Sequence, residues 1–314
     1  MSGLTVSVPD EVLRDAMGPQ SPGVEVLLWD FDRPAPRTSI DIVVPPYLGS
    51  SDRLRRLDGV VTSLVQSQSI GYDGIDQLLR PGTRFANAAS VHETSTAELA
   101  LALMLASQRG IPDFVRQAES GHWHRTWYPS LADRTVTLVG YGGVGRAVEE
   151  RLLPFETKVV RVARRERHDE RGIVHAIAAL DEILPRSDVV VVAVPLSPST
   201  THLVDDRFLS LLRDGSLVVN IARGPVADTH ALVAHARDGR LRLALDVTDP
   251  EPLPDGHPLF AMPNVLISPH VGGATNAMLA RMALLVNDQI ERMLRGEPAR
   301  NVVFTAGVPI RTED

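Results

Sequence analysis

The chain has 314 residues, 44% hydrophobic and 23% charged, with 32 basic residues against 39 acidic ones and no cysteine. These counts exclude a cysteine nucleophile, a disulfide, a thiolate metal site and a dithiol switch, and they leave Schiff-base chemistry to Lys158 alone, since the other 31 basic residues are arginine. A net charge of −7 argues against a general polyanion-binding surface, so no nucleic-acid partner is expected.

The length fits about two domains at roughly 100–200 residues each. No apolar run reaches about 18 residues, so no membrane span is expected. Met1 to Asp10 lacks the basic flank and apolar run of a signal peptide, and the lack of cysteine fits a reducing compartment. A cytoplasmic location is the expectation.

Four short β-rich runs, Thr5–Val8, Val24–Trp29, Ile40–Val44 and Gly59–Val65, predict a small α/β unit. Gln66 to Asp76 is a loop by composition. Ser95-Thr96-Ala97-Glu98 has capping-box spacing, which predicts a buried helix over Ala97–Gln108, with Gly110 and Ile111-Pro112 as its stop. His122-Trp123-His124 is a histidine pair without a third ligand nearby and reads as a surface loop or subunit contact rather than a metal site. Trp127-Tyr128 reads as packing.

From Thr135 the pattern changes to apolar runs alternating with helical segments. Thr135–Val139, Lys158–Val162, Val189–Val194, Ser216–Ile221, Leu243–Val247 and Val265–Ser268 mostly lack polar alternation, as strands buried on both faces do. A parallel sheet with helices on both sides is predicted. A helix over about Gly272–Arg295 follows.

Gly140-Tyr141-Gly142-Gly143-Val144-Gly145 places G-x-G-x-x-G directly after a predicted strand and at the opening of a helix. Gly140 permits the tight turn, Gly142 the approach of a pyrophosphate and Gly145 close helix–strand packing, while the amides around Gly143 and Val144 face an anion at the helix N-terminus. About 20 residues on, Ala163 stands where an acidic residue would bond the ribose of NAD. Arg164 and Arg165 follow it and suit the 2′-phosphate of NADP, so charge favours NADP(H) over NAD(H); Glu166 is a rival ribose partner and a solvated basic loop the plain alternative.

Three later loops stand at predicted strand ends, where open α/β sheets bind ligands: Asn220 to Gly224, Asp246 to Pro252 and Ser268 to Gly273. They carry Arg223, Asp246, Glu251 and His270. Taken singly, Arg223 reads as a surface cation, Glu251 as a loop carboxylate and His270 as a packed histidine.

Together with Gly71-Tyr72-Asp73-Gly74-Ile75-Asp76, Thr96-Ala97-Glu98, Arg109, Val194-Pro195-Leu196 and Thr200-Thr201-His202-Leu203, the series resembles the D-isomer-specific 2-hydroxyacid dehydrogenase family, which includes D-3-phosphoglycerate dehydrogenase and glyoxylate/hydroxypyruvate reductases. The resemblance spans nearly the whole chain. It implies two Rossmann-like α/β domains, with a dinucleotide-binding domain at 97–274 inserted in a smaller flavodoxin-like substrate domain at 1–96 and 275–314. It also implies a homodimer and the reversible, NAD(P)-dependent reduction of a small 2-oxo acid to a D-2-hydroxy acid. His270 would be the acid/base, a role suited to imidazole, with Glu251 orienting it and Arg223 holding the substrate carboxylate and carbonyl. Ser69, Ile70 and Gly71 would complete the carboxylate site through backbone amides. Asp246 would hold the nicotinamide carboxamide, and Pro195 and Thr201 would contact the cofactor. Ser69 and Glu156 stand where similar enzymes often have smaller residues. Rival readings are a nucleotide-sensing corepressor-like protein of the same fold and a formate- or phosphite-type dehydrogenase.

Overall fold

The computed structural model describes residues 3–47 and 51–308. The chain forms two compact units, one running to His92 and resuming at Asn276, the other comprising Glu93–Thr275. In the first unit β1 (Leu4–Val8) is followed by α1 (Glu11–Met17), β2 (Val24–Leu28), β3 (Ile42–Val43), β4 (Leu64–Gln66) and β5 (Arg84–Ala86). The second unit opens with α2 (Glu93–Gln108), α3 (Ile111–Glu119), β6 (Thr135–Val139), α4 (Gly143–Leu152) and β7 (Lys158–Ala163). It continues through β8 (Arg167–Asp169), β9 (Gly172–Ala176), α5 (Leu180–Ile183), β10 (Val189–Val192), α6 (Asp206–Ser210), β11 (Leu217–Asn220), α7 (Thr229–Arg237), β12 (Arg242–Leu245) and β13 (Val265–Ile267). The chain then rejoins the first unit as α8 (Ala277–Leu294) and β14 (Val302–Thr305).

Among the described residues the first unit holds a six-stranded sheet in the order β14-β5-β4-β3-β1-β2, parallel except for β14. Its faces carry separate cores. Val6, Val8, Ile42 and Leu64 pack with Leu13 and Met17 of α1 and with Met282, Val286 and Ile290 of α8, whereas Val43, Val65 and Phe85 pack with Phe304 on the other side. A buried amide pair ties α8 to the sheet: Gln289 Nε2 donates to Gln66 Oε1 at 2.7 Å and to the Arg300 carbonyl at 2.8 Å.

The second unit holds an eight-stranded sheet in the order β13-β12-β11-β10-β6-β7-β9-β8, parallel except for β8. All four valines of β10 are buried. Val190 and Val192 enter one core and Val189 and Val191 the opposite one, because successive strand side chains point to opposite faces. Covered on both sides, the strand needs no polar alternation, and the α/β class follows as predicted. No helix among the described residues is long and apolar enough to cross a membrane.

Several expected boundaries move. α2 begins at Glu93, so Ser95 lies inside the helix and does not cap it; its hydroxyl pairs with Thr275 Oγ1 at 2.8 Å. Pro112 both ends one helix and opens the next, taking a first-turn position in α3 where no amide is required. The fourth run is split: Val61 makes an isolated parallel bridge with Ser39, and the continuous ladder starts at Leu64, because the Ser63 and Leu64 amides converge on the Asp41 carbonyl at 3.2 and 3.1 Å and interrupt the pairing. The expected elements lack β5 and the antiparallel β8–β9 pair, which carry no long apolar run, and also lack β14, although Val302-Val303-Phe304 is apolar.

Beneath the loop joining β6 to α4 lies a buried ionic cluster. Glu149, 3% exposed, accepts from the Tyr141 hydroxyl, from Arg171 Nη1 at 3.0 Å and faces Arg161 Nε at 3.2 Å. Arg161 also donates to Asp169 Oδ1 at 3.0 Å. Burial, and then the bond to Glu149, push the Tyr141 phenol up, so it stays a donor. Arg146, Arg161 and Arg167 stand over its ring at 5.6, 5.6 and 5.8 Å. Removing the carboxylate shared by two arginines leaves Arg161 to Asp169 and Arg171 to Glu150, and takes away the centre of the buried cluster. Glu149→Gln is expected to lower the unfolding free energy by about 3 kcal/mol in a denaturant titration, and an unchanged midpoint would refute the cluster's structural role.

Candidate active site

The glycine loop is shaped by what its backbone touches. Gly140 has φ +107°, and a Cβ there would lie 2.5 Å from the Ala193 carbonyl group. A Cβ at Gly145 would lie 2.1 Å from the Gly140 carbonyl oxygen, so α4 sits directly on the turn. Gly142 differs: a Cβ there would meet nothing within 4 Å, which leaves its outer side open for a ligand to approach the backbone. The amides of Gly143, Val144 and Gly145 open α4, where a helix has no internal acceptors for them. The open side of Gly142 next to the helix N-terminus suits a pyrophosphate, while a Cβ on Gly143 would lie 3.0 Å from Glu93 Oε1.

β7 ends at Ala163, and Arg164, Arg165 and Glu166 follow as exposed residues before β8. Arg167 turns back to the glycine loop, donating from Nη2 to the Tyr141 carbonyl at 2.8 Å. The Tyr141–Glu149–Arg161 cluster was missed in the sequence. Its one signal is spacing: Glu149 lies four residues after Gly145, on the helix face that packs against the sheet.

The second group of residues lies at the ends of β11, β12 and β13. Arg223 follows β11 in extended conformation and donates from Nη1 to the Ala222 carbonyl at 2.8 Å. A Cβ on the next residue, Gly224, would lie 1.8 Å from the Thr248 carbonyl oxygen, so the loop carrying Arg223 rests on the loop leading to Glu251. His270 Nδ1 lies 2.6 Å from Glu251 Oε1, with both side chains about two-fifths exposed. His270 itself has φ +53°, a left-handed conformation uncommon for a residue with a side chain.

Asp246 accounts for that conformation. Its carboxylate, 3% exposed, accepts from Ser268 Oγ at 2.7 Å and from the Val271 and Gly272 amides at 2.9 Å each, while its carbonyl accepts the His270 amide at 2.8 Å. It thus organises the histidine loop and keeps one acceptor position on Oδ2.

Pro195 and Thr201 are both exposed after β10; the Thr201 hydroxyl donates to the Ser197 carbonyl at 2.9 Å. Ser69, Ile70 and Gly71 belong to the first unit, and the Ser69 amide is already committed, to Ser67 Oγ at 3.0 Å. That removes Ser69 from the expected set of amide donors. Glu156 stands at φ +55°, which explains in backbone terms why a smaller residue suits the position. His122 and His124 are exposed, and among the described residues no group of three His, Cys, Asp or Glu side chains is placed to hold a metal.

Residues 101–272 match the family described as D-isomer specific 2-hydroxyacid dehydrogenase, NAD binding domain. The chain is 33% identical over 293 residues to the human (Homo sapiens) glyoxylate reductase/hydroxypyruvate reductase, covering 87% of this chain and 89% of the relative. It is 30% identical to a glyoxylate reductase of Pyrococcus furiosus, covering 91% of each. Among solved structures it resembles an NADPH-dependent glyoxylate/hydroxypyruvate reductase from Sinorhizobium meliloti in complex with NADP and sulfate, with a TM-score of 0.82, 25% identity and coverage of 98% and 100%. It also resembles a D-isomer specific 2-hydroxyacid dehydrogenase from Xanthobacter autotrophicus in complex with NADPH and MES, with a TM-score of 0.81, 28% identity and coverage of 97% and 99%. The glycine loop on β6, the loops after β11 to β13 and these likenesses converge: the chain belongs to the D-isomer specific 2-hydroxyacid dehydrogenase family and is an oxidoreductase.

Proposed function

We propose that the protein is an NADPH-preferring reductase of small 2-oxo acids such as glyoxylate or hydroxypyruvate, with His270 as proton donor, Glu251 as its partner and Arg223 on the substrate. The second unit would be the cofactor domain and the first the substrate domain. The observation that carries the reading is the 2.6 Å contact between His270 Nδ1 and Glu251 Oε1 at the carboxyl ends of the strands.

A carboxylate oxygen accepts, so Glu251 keeps a hydrogen on Nδ1 and leaves Nε2 as the atom that gives up or takes the reacting proton. Arg223 offers a planar fork of donors, one of them spent on the Ala222 carbonyl, which suits a carboxylate beside a carbonyl oxygen. A nicotinamide, when bound, supplies the hydride. Gly142 to Gly145 would hold its pyrophosphate, Asp246 its carboxamide, and Pro195 and Thr201 would flank it. The proton from Nε2 then reaches the carbonyl oxygen as the alcohol forms. His270→Ala is expected to cut kcat by about 10²-fold or more while NADPH affinity stays within a factor of about two. Full activity in that variant, or tight NADPH binding without turnover of any 2-oxo acid by the wild type, would overturn the reading and favour a nucleotide sensor.

The NADPH preference rests on Arg164 and Arg165 beside Ala163, which stands where an acidic residue would bond the ribose of NAD, and on the relatives that bind NADPH or NADP. Replacing both arginines by serine is expected to reduce the NADPH-over-NADH ratio of kcat/KM by about tenfold or more. Equal use of both cofactors by the wild type would count against it.

The proposal includes a homodimer through α3 and the segment after it. α3 buries none of its own side chains, Ile111, Phe114 and Val115 are exposed, and Trp123 and Trp127 are each 97% exposed. Such apolar area needs cover, which a second copy would supply. Trp123→Ser with Trp127→Ser is expected to shift sedimentation from dimer to monomer; a monomeric wild type would exclude the assembly.

A further inference from the structure

The segment after β4 is held by three consecutive carbonyl groups. The Gln68 carbonyl accepts from His92 Nε2 at 2.6 Å, the Ser69 carbonyl from the Ala88 amide at 2.9 Å, and the Ile70 carbonyl from Asn87 Nδ2 at 2.9 Å. All three donors come from the stretch 87–92. Carbonyls along a strand alternate in direction, so three in succession on one stretch require a turn. In a trans peptide the next N–H points opposite to the carbonyl, so pinning these oxygens turns the amides of Ser69, Ile70 and Gly71 the other way. Ser67 Oγ takes the first. The Ile70 and Gly71 amides meet no acceptor among the described residues, and both residues are half-buried. Two adjacent outward amides form a concavity for an anion.

Two of the three restraints are side chains that the proposed reaction does not use. His92 is 4% exposed and its ring stacks on Tyr47 at 5.5 Å. Since a carbonyl only accepts, its Nε2 carries the hydrogen. Asn87 is fixed in turn: its Oδ1 accepts the Ala89 amide at 3.2 Å and its own amide donates to the Asn301 carbonyl at 3.1 Å.

We propose that Asn87 and His92 are positioning residues for substrate: their side-chain donors hold the Gln68 and Ile70 carbonyls and so aim the Ile70 and Gly71 amides at a carboxylate. This rests on the reading of the 69–71 loop as the carboxylate site of a 2-oxo acid reductase. Neither residue touches the reacting atoms; both act through the loop backbone.

Asn87→Asp keeps the acceptor for the Ala89 amide and removes the donor but adds a negative charge, so the neutral Asn87→Leu, which removes the donor without charge, is run beside it and has to show the same loss. His92→Phe keeps a ring against Tyr47 and removes the donor, and His92→Gln restores one. Oxalate, a dicarboxylate that is not reduced, is titrated calorimetrically into the NADPH-loaded protein, and KM and kcat for hydroxypyruvate are measured alongside. Asn87→Asp and His92→Phe are expected to raise the oxalate Kd and the KM by about tenfold, with kcat and NADPH affinity within about threefold and with His92→Gln close to wild type. Unchanged oxalate affinity in a folded variant overturns the proposal, as does a wild type that binds no oxalate. If the wild type binds oxalate but reduces no 2-oxo acid, the proposed reaction fails and the oxalate affinities still judge the positioning. Melting temperature is read first, and either position alone decides if the other variant does not fold.

Discussion

Backbone resting directly on backbone at the carboxyl ends of β6, β10, β11 and β12 is the constraint on which the site depends. The Gly140 turn lies against the Ala193 carbonyl after β10, α4 lies against the Gly140 carbonyl, and the turn at Gly224 lies against the Thr248 carbonyl. Each contact would be destroyed by one methyl group, since a Cβ would stand at 2.5 Å or less from another backbone atom. Neighbouring loops are therefore held at a spacing that side-chain packing could not provide. The glycine loop, Arg223 and the approach to Glu251 inherit their positions from these contacts.

Close packing of backbone brings polar groups out of water, and each has to be answered. Below the glycine loop the answer is ionic, with Glu149 shared between Arg161, Arg171 and the Tyr141 hydroxyl. Beside the histidine it is Asp246, whose carboxylate takes two backbone amides and a serine hydroxyl. Both carboxylates are almost wholly buried; Asp246 holds backbone directly, whereas Glu149 gathers side chains beneath the glycine loop.

The parts legible in the sequence are those set by short-range rules. The valine run of β10, the G-x-G-x-x-G after β6 and the loops at the ends of β11 to β13 follow from local pattern and composition, whereas Arg223, Glu251 and His270 stand out within those loops only through the family resemblance. What was not legible depends on partners far along the chain. Ser95 looks like a cap until Thr275, 180 residues away, takes its hydroxyl. β14 is a strand because β5 offers it an edge, and β8 because β9 folds back on it. Ser69 looks like an amide donor until the Ser67 side chain claims it. Glu149 reads as one more acidic helix residue unless its four-residue spacing from Gly145 is connected with the sheet beneath.

The backbone of His270 joins these threads. A residue with a side chain at φ +53° stores strain of the order of 1–3 kcal/mol, and such strain persists only where the surroundings over-determine it. Here they do: the His270 amide is bound to the Asp246 carbonyl, the next two amides to the Asp246 carboxylate, and the ring to Glu251. Each of these bonds comes from the segment 246–251, so one stretch of chain fixes both the backbone and the side chain of the histidine. An imidazole held by its ring alone could rotate about its own bonds. One held at backbone and ring keeps Nε2 at a set place, and a proton-transfer role depends on that placement before any adjustment of acidity matters.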